Sequence, residues 1–154
     1  MKNLPLLFCA FLLFVSCSQE NETENPVVNL QIDAREFETL SGIWNLEKVE
    51  TLNSGDTSTP PSSVTIDFSL EDDSEISYVL NGNSTCNQYG GQLLSLKENS
   101  ISFEQLYSTD MSCSDELNAF EGEYFSALFD TEEYKIEEGR LRLYSENKVL
   151  TFFR

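Results

Sequence analysis

The residues of this chain best able to do chemistry are four cysteines: Cys9, Cys17, Cys86 and Cys113. A thiol can be a nucleophile, a metal ligand, a lipid attachment point, half of a disulfide or a small apolar side chain. The first two uses need helpers that this sequence lacks. It contains no histidine, which removes Ser-His-Asp and Cys-His nucleophilic catalysis and most catalytic zinc sites. No basic residue lies near Cys86 in sequence to favour its thiolate. No Cys-x-x-Cys pair exists for a zinc knuckle or a thioredoxin-type redox site. Neither phosphate-cradling glycine pattern is present, and Gly90-Gly91 reads as a bend or bulge between strands.

Carboxylates are so numerous, 27 Asp and Glu in 154 residues, that any acidic pair is weak evidence. "LEDDSE" could offer Asp72, Asp73 and Glu75 to calcium, but it lacks the spacing and glycine of an EF-hand loop. It reads as a solvated turn, as do Asp130, Glu132 and Glu133. The Asn83-Ser84-Thr85 triplet fits a glycosylation acceptor, a pattern short enough to carry little weight here. No cofactor is expected, and no metal site. An enzyme built on carboxylates alone, as glycosidases are, is the one catalytic class left open.

The address of the chain decides what the cysteines can become. Lys2 and Asn3 precede an unbroken apolar run, Leu4 to Val15. That run is too short for a membrane-spanning helix, which needs roughly 20 residues; it fits a secretory signal. It ends in "FVSC", which resembles a bacterial lipobox, with Phe14 where leucine is usual. Residues 1–16 are then a lipoprotein signal peptide, and Cys17 is the acylated first residue of the mature chain. An ordinary signal peptide cut near Ser16 is the competing reading. Several acyl chains hold a protein on a membrane stably where one is marginal. The expected location is the bacterial cell envelope, at the outer membrane. Glu20 and Glu22 resemble a short acidic surface-export signal, so the periplasmic face and the cell surface both stay open.

Residues 17–38 are polar and acidic and contain Pro26, so they read as a flexible tether. The net charge of -18 repels nucleic acid and anionic head groups. The few Lys and Arg look scattered, so nucleic acid is not an expected partner. The expected partners are the membrane, through Cys17, and an unknown protein or small apolar ligand, with the chain itself a monomer.

Residues 39–154 are enough for one domain with one core. Period-two alternation dominates: "GIWNLEKV", "SVTIDFSL", "EISYVL", "QLLSL", "SISF", "EYKIE", "RLRLY" and "VLTFFR" read as strands. "KENS", "EG" and "SENK" have hairpin spacing. Between them, Leu117, Phe120, Tyr124 and Leu128 form one apolar helix face, with Ser114 placed to cap it. The predicted fold is α+β: a small, strongly curved antiparallel sheet of about 7–8 strands, a partial barrel, with one helix packed on it.

With Cys9 lost in the leader and Cys17 lipidated, Cys86 and Cys113 remain. An even pair in an exported domain is a disulfide candidate; two free buried thiols are the alternative. "TCNQYGG", then "ISFEQLYSTDMSC", a helix and "YKIEEGRLRLYSENKVLTFFR" together resemble the META domain family, that of the HslJ-like heat-shock proteins (DUF306). The matching residues are Cys86, Asn87, Tyr89 and Gly91 in the first motif and Ser108, Thr109, Met111 and Cys113 in the second. Thr85 and Asp110 depart from the family pattern, which has glycine and often a basic residue there. The resemblance implies a curved antiparallel sheet with one helix, export or lipid anchoring, and a link to envelope stress and novobiocin resistance. It implies no catalytic activity.

The leading functional expectation is therefore a non-catalytic, lipid-anchored envelope protein with a binding or stress-response role. Two alternatives stand beside it. A lipocalin-like carrier would enclose an apolar ligand among Phe68, Phe103 and Phe152, which otherwise simply fill the core. A protein-protein inhibitor, of a protease for instance, would present Tyr89 or Tyr107 from the loops around Cys86 and Gly90.

Overall fold

Apolar residues at every second position make each strand one-sided, and the chain buries those faces by rolling its sheet into a ring. The computed structural model describes residues 31–72 and 76–154. In chain order the elements are β1 (Gln31–Ile32), α1 (Ala34–Leu40), β2 (Gly42–Thr51), β3 (Thr57–Ser58), β4 (Thr65–Asp72) and β5 (Ile76–Asn83). There follow β6 (Gln88–Lys97), β7 (Ser100–Ser108), α2 (Asp115–Phe129), β8 (Glu133–Glu137), β9 (Arg140–Tyr144) and β10 (Lys148–Phe153). The ring runs β6-β5-β4-β2-β10-β9-β8-β7 and returns to β6. All eight neighbours pair antiparallel.

The expected partial barrel is thus a closed one. Closure rests on the β6–β7 hairpin and on a single pair between β7 and β8, Ser100 with Glu133. Closing the ring reduces the free sheet edges, which would otherwise invite association. Two short strands lie outside it: β3 pairs with β2, and β1 pairs parallel with β6. "KENS" and "EG" do turn hairpins. Glu98 and Asn99 in the first, and Glu138 and Gly139 in the second, take the positive φ of two-residue turns.

Trp44, Phe68, Phe152, Ile66, Leu80, Leu96, Leu141 and Leu150 fill the interior, as expected for eight strands, whose barrel is just wide enough for side chains. Phe103 is partly buried against this cluster. The helix expected after Ser114 is α2, burying Phe120, Tyr124, Ala127 and Leu128. Ser114 is its N-cap residue but its side chain makes no capping bond. Asn118 closes that turn instead, exchanging hydrogen bonds with the backbone N–H and C=O of Cys113.

A second helix, α1, precedes the predicted strands. From Gln31 onward the described residues pack on the barrel, β1 against β6 and α1 against the core. Asp33 caps α1 by accepting from the Arg35 and Glu36 amides, and Phe37 and Leu40 enter the core. The Trp44 indole donates to the Leu40 carbonyl at 2.7 Å. Arg154 stacks its guanidinium on Trp44 at 4.0 Å and donates to the carbonyls of Thr39, Leu40 and Ser41. The C-terminal arginine therefore ties the last strand to the end of α1. The signal peptide, Cys17, Glu20, Glu22 and the Asp73–Glu75 part of the calcium reading lie outside the described residues.

Candidate functional site

The two motifs meet where the β5–β6 turn, residues 84–87, faces the segment that leaves β7. Cys86 and Cys113 form a disulfide, S–S 2.02 Å, across 27 residues. Asn87 is the hub beside it. Its side-chain oxygen accepts from the Thr109 hydroxyl and the Met111 amide, each at 2.7 Å. Its side-chain nitrogen donates to the Met111 carbonyl at 3.2 Å and to Glu121 at 2.5 Å. One amide thus spends both ends pinning the second motif to the first. Thr109 adds a backbone bond to the Gln88 carbonyl and accepts from the Gln88 amide. Ser108 contributes through its strand pairing with Tyr89.

Glu121 completes the cluster, and the motif reading missed it. It lies on the buried side of α2, 8 % exposed, and accepts from Ser84 Oγ, the Cys86 and Asn87 amides, and Asn87 Nδ2. Burial pushes its carboxyl pKa up; the hydrogen bonds from Ser84, Asn87 and Cys86 outweigh that and hold it below the ordinary 4.5. One sequence signal was available: Glu121 follows Phe120 and lies four residues after Leu117, so it borders the apolar helix face. The same turn is tied to α2 by Thr85, whose hydroxyl donates to the Leu117 carbonyl at 2.8 Å.

Tyr89 is not an anchor on the surface. Its ring is buried, and its hydroxyl donates to the Thr65 carbonyl at 2.8 Å while meeting the Tyr124 hydroxyl at 2.5 Å. Burial raises both phenols above their usual pKa. Gly91 sits at a bulge in the β6–β7 ladder, where a β-carbon would come within 2.5 Å of the Leu106 side chain. Tyr107 and Met111, by contrast, are 64 % and 59 % exposed. The two motifs therefore build a rigid joint with an exposed rim.

The bases are also placed differently from expectation. Lys48, Arg142 and Lys135 are not scattered: they share one outward row across β2, β10, β9 and β8, through Thr151. Arg140 lies beside them. Carboxylates answer three of these charges, Glu50 to Lys48 at 2.7 Å, Glu137 to Arg142 at 2.9 Å and Glu47 to Arg140 at 2.7 Å. The Arg140 hydrogen bond is the main reason the Glu47 carboxyl lies below its ordinary value. Sequence order hid this row because cross-strand register, not proximity in the chain, makes it.

Among the described residues, no group of three Cys, Asp or Glu is arranged to hold a metal ion, and no helix is long and apolar enough to cross a membrane. Solved structures with this fold include an NMR structure of a protein from Burkholderia xenovorans, 24% identical, TM-score 0.63, covering 80% of this chain and 89% of its own. A crystal structure of a DUF4847 family protein from Bacteroides vulgatus is 13% identical, TM-score 0.50, covering 74% and 92%. No curated protein matches the chain. The family model for the META domain matches residues 38–154, a span holding the whole barrel, both cysteine motifs and the Glu121 joint. The chain belongs to the META domain family.

Proposed function

We propose that this is a lipid-anchored protein of the bacterial cell envelope, at the outer membrane, whose folded domain acts by binding rather than by turnover. The observation that carries this reading is the state of Glu121. It is the buried carboxylate among the described residues, the kind of group a carboxylate enzyme would use. Its two oxygens are occupied by four donors, and its depressed pKa keeps it ionised at neutral pH. It holds a turn in place and has no proton to give.

The two alternatives fare worse. A carrier would have to empty an interior in which Phe68 and Phe152 are completely buried. An inhibitor that presents Tyr89 or Tyr107 loses the first of these anchors, because the Tyr89 ring is buried and its hydroxyl is engaged by Thr65 and Tyr124.

Two measurements in cells test the proposal. Growth with labelled palmitate should label the protein, and Cys17→Ser should lose both label and membrane fractionation. Crosslinking of the lipidated protein in intact cells should capture a partner. Turnover by the purified protein, abolished by one carboxylate substitution that leaves its unfolding midpoint intact, would defeat the binding reading.

A further inference from the structure

One outer face of the barrel has a chemistry that neither the joint nor the charged row shares. Strand register places Ile43, Asp67, Asn81, Gly90 and Tyr107 in one outward row across β2, β4, β5, β6 and β7. The neighbouring row is Asn45, Thr65, Asn83 and Gln88. An open depression of about 330 Å³ lies between them, lined by Ile43, Thr65, Asp67, Asn81, Asn83 and Gln88. In a chain with net charge -18, these two rows hold one carboxylate, no cation, and four side-chain amides.

Tyr107 ends the first row, with the hydroxyl end of its ring over Gly90. A β-carbon on Gly90 would lie 2.6 Å from its hydroxyl and 2.8 Å from its Cζ, with the Asn81 side-chain oxygen Oδ1 also at 2.8 Å. The hydroxyl end of the ring therefore lies over the bare backbone of Gly90, beside the Asn81 side chain. An aromatic ring laid over a cross-strand glycine stabilises a sheet, but one that is 64 % exposed still offers its other face to solvent.

We propose that this face binds a neutral oligosaccharide. A sugar ring has an apolar C–H face, which Tyr107 can stack against, and hydroxyls that both donate and accept. Each amide supplies two donors and an acceptor, and Asp67 supplies acceptors only, so both needs of a hydroxyl are met. The row crosses five strands, roughly 19 Å at the usual strand spacing, which suits a chain of sugars better than a single one. An anionic polymer would meet Asp67 and the charge of the whole molecule, with no cation on the face to offset either. This ligand class rests on the reading of the protein as a binder, but not on its lipid anchor.

The test uses the full chain, purified in detergent, in native gels containing neutral β-glucan, neutral mannan or polygalacturonate. Retardation by a neutral polysaccharide is expected, with none by polygalacturonate. Tyr107→Ala and Asn81→Ala should each weaken it by about tenfold, the loss of one good contact. Both positions are on the surface, and an unchanged thermal midpoint certifies each variant. Lys135→Ala, on the charged row, should bind as the natural chain does. No retardation by either neutral polymer, equal retardation by polygalacturonate, or retardation that both variants keep would each overturn the proposal. A failure here leaves the crosslinking result standing, and a failure to acylate Cys17 leaves this assay untouched.

Discussion

Glu121 shows how a residue can be central without a motif. Its carboxylate accepts from a hydroxyl, two backbone amides and a side-chain amide. Glu121→Gln keeps the shape but points an NH2 at donors, so unfolding in urea at pH 7 should show a loss of about 1.5–3 kcal/mol, the scale of a hydrogen bond to a charged group. The pH dependence has a definite sign. Because the folded pKa is depressed below 4.5, this contribution is fully present above that value and is lost as pH falls through the folded one. Stability measured from pH 7 to pH 3 should therefore drop below about 4.5 in the natural protein, and the glutamine variant should lose less over that window. Cys86 and Asn87 could be singled out from their motif. Among 27 acids, Glu121 carried only its position bordering the apolar helix face, and the packing of α2 on the 84–87 turn is what makes it special.

At the scale of elements, the disulfide and α2 clamp the same turn from two sides. Closing a loop of 27 residues is worth about 3–4 kcal/mol in the chain-entropy account. The double variant Cys86→Ala, Cys113→Ala should lose about that much in chemical denaturation. A loss below about 1 kcal/mol would mean that Asn87 and Glu121 already restrain the segment. Eight strands and α2 were legible because each carries its own periodicity. The short α1 was not. Seven residues make a marginal helix alone, and "AREFETL" sits in a polar stretch that reads as linker. What stabilises it is tertiary: Phe37 against the Tyr78 ring at 4.7 Å, Leu40 in the core, and the Arg154–Trp44 stack.

For the whole molecule, charge is the dominant long-range term. At net charge -18, self-repulsion opposes compaction, while the four ion pairs among the described residues are partly exposed and worth little each. Raising ionic strength from 0.01 to 0.15 M shortens the screening length from about 30 to 8 Å. The thermal midpoint should therefore rise with salt over that range; a fall would show that the cross-strand ion pairs outweigh the repulsion. Barrel closure belongs to this scale too. Period-two alternation says which side chains point inward, and it says the same for an open curved sheet as for a ring. The return of β7 to β6, with one further pair to β8, makes the difference.

The amino-acid sequence alone determined the strand set, the buried face of α2, the family and the pairing candidates among the cysteines, because these are written as local periodicity or as short motifs. It also set the expectation of an anchor at Cys17. Only the tertiary structure decided that the sheet closes, that α1 belongs to the domain, that Glu121 is the buried partner of the motifs, and that amides and Tyr107 share one outer face. Those features depend on cross-strand register and on contacts between residues far apart in the chain, and no local pattern encodes register around a ring.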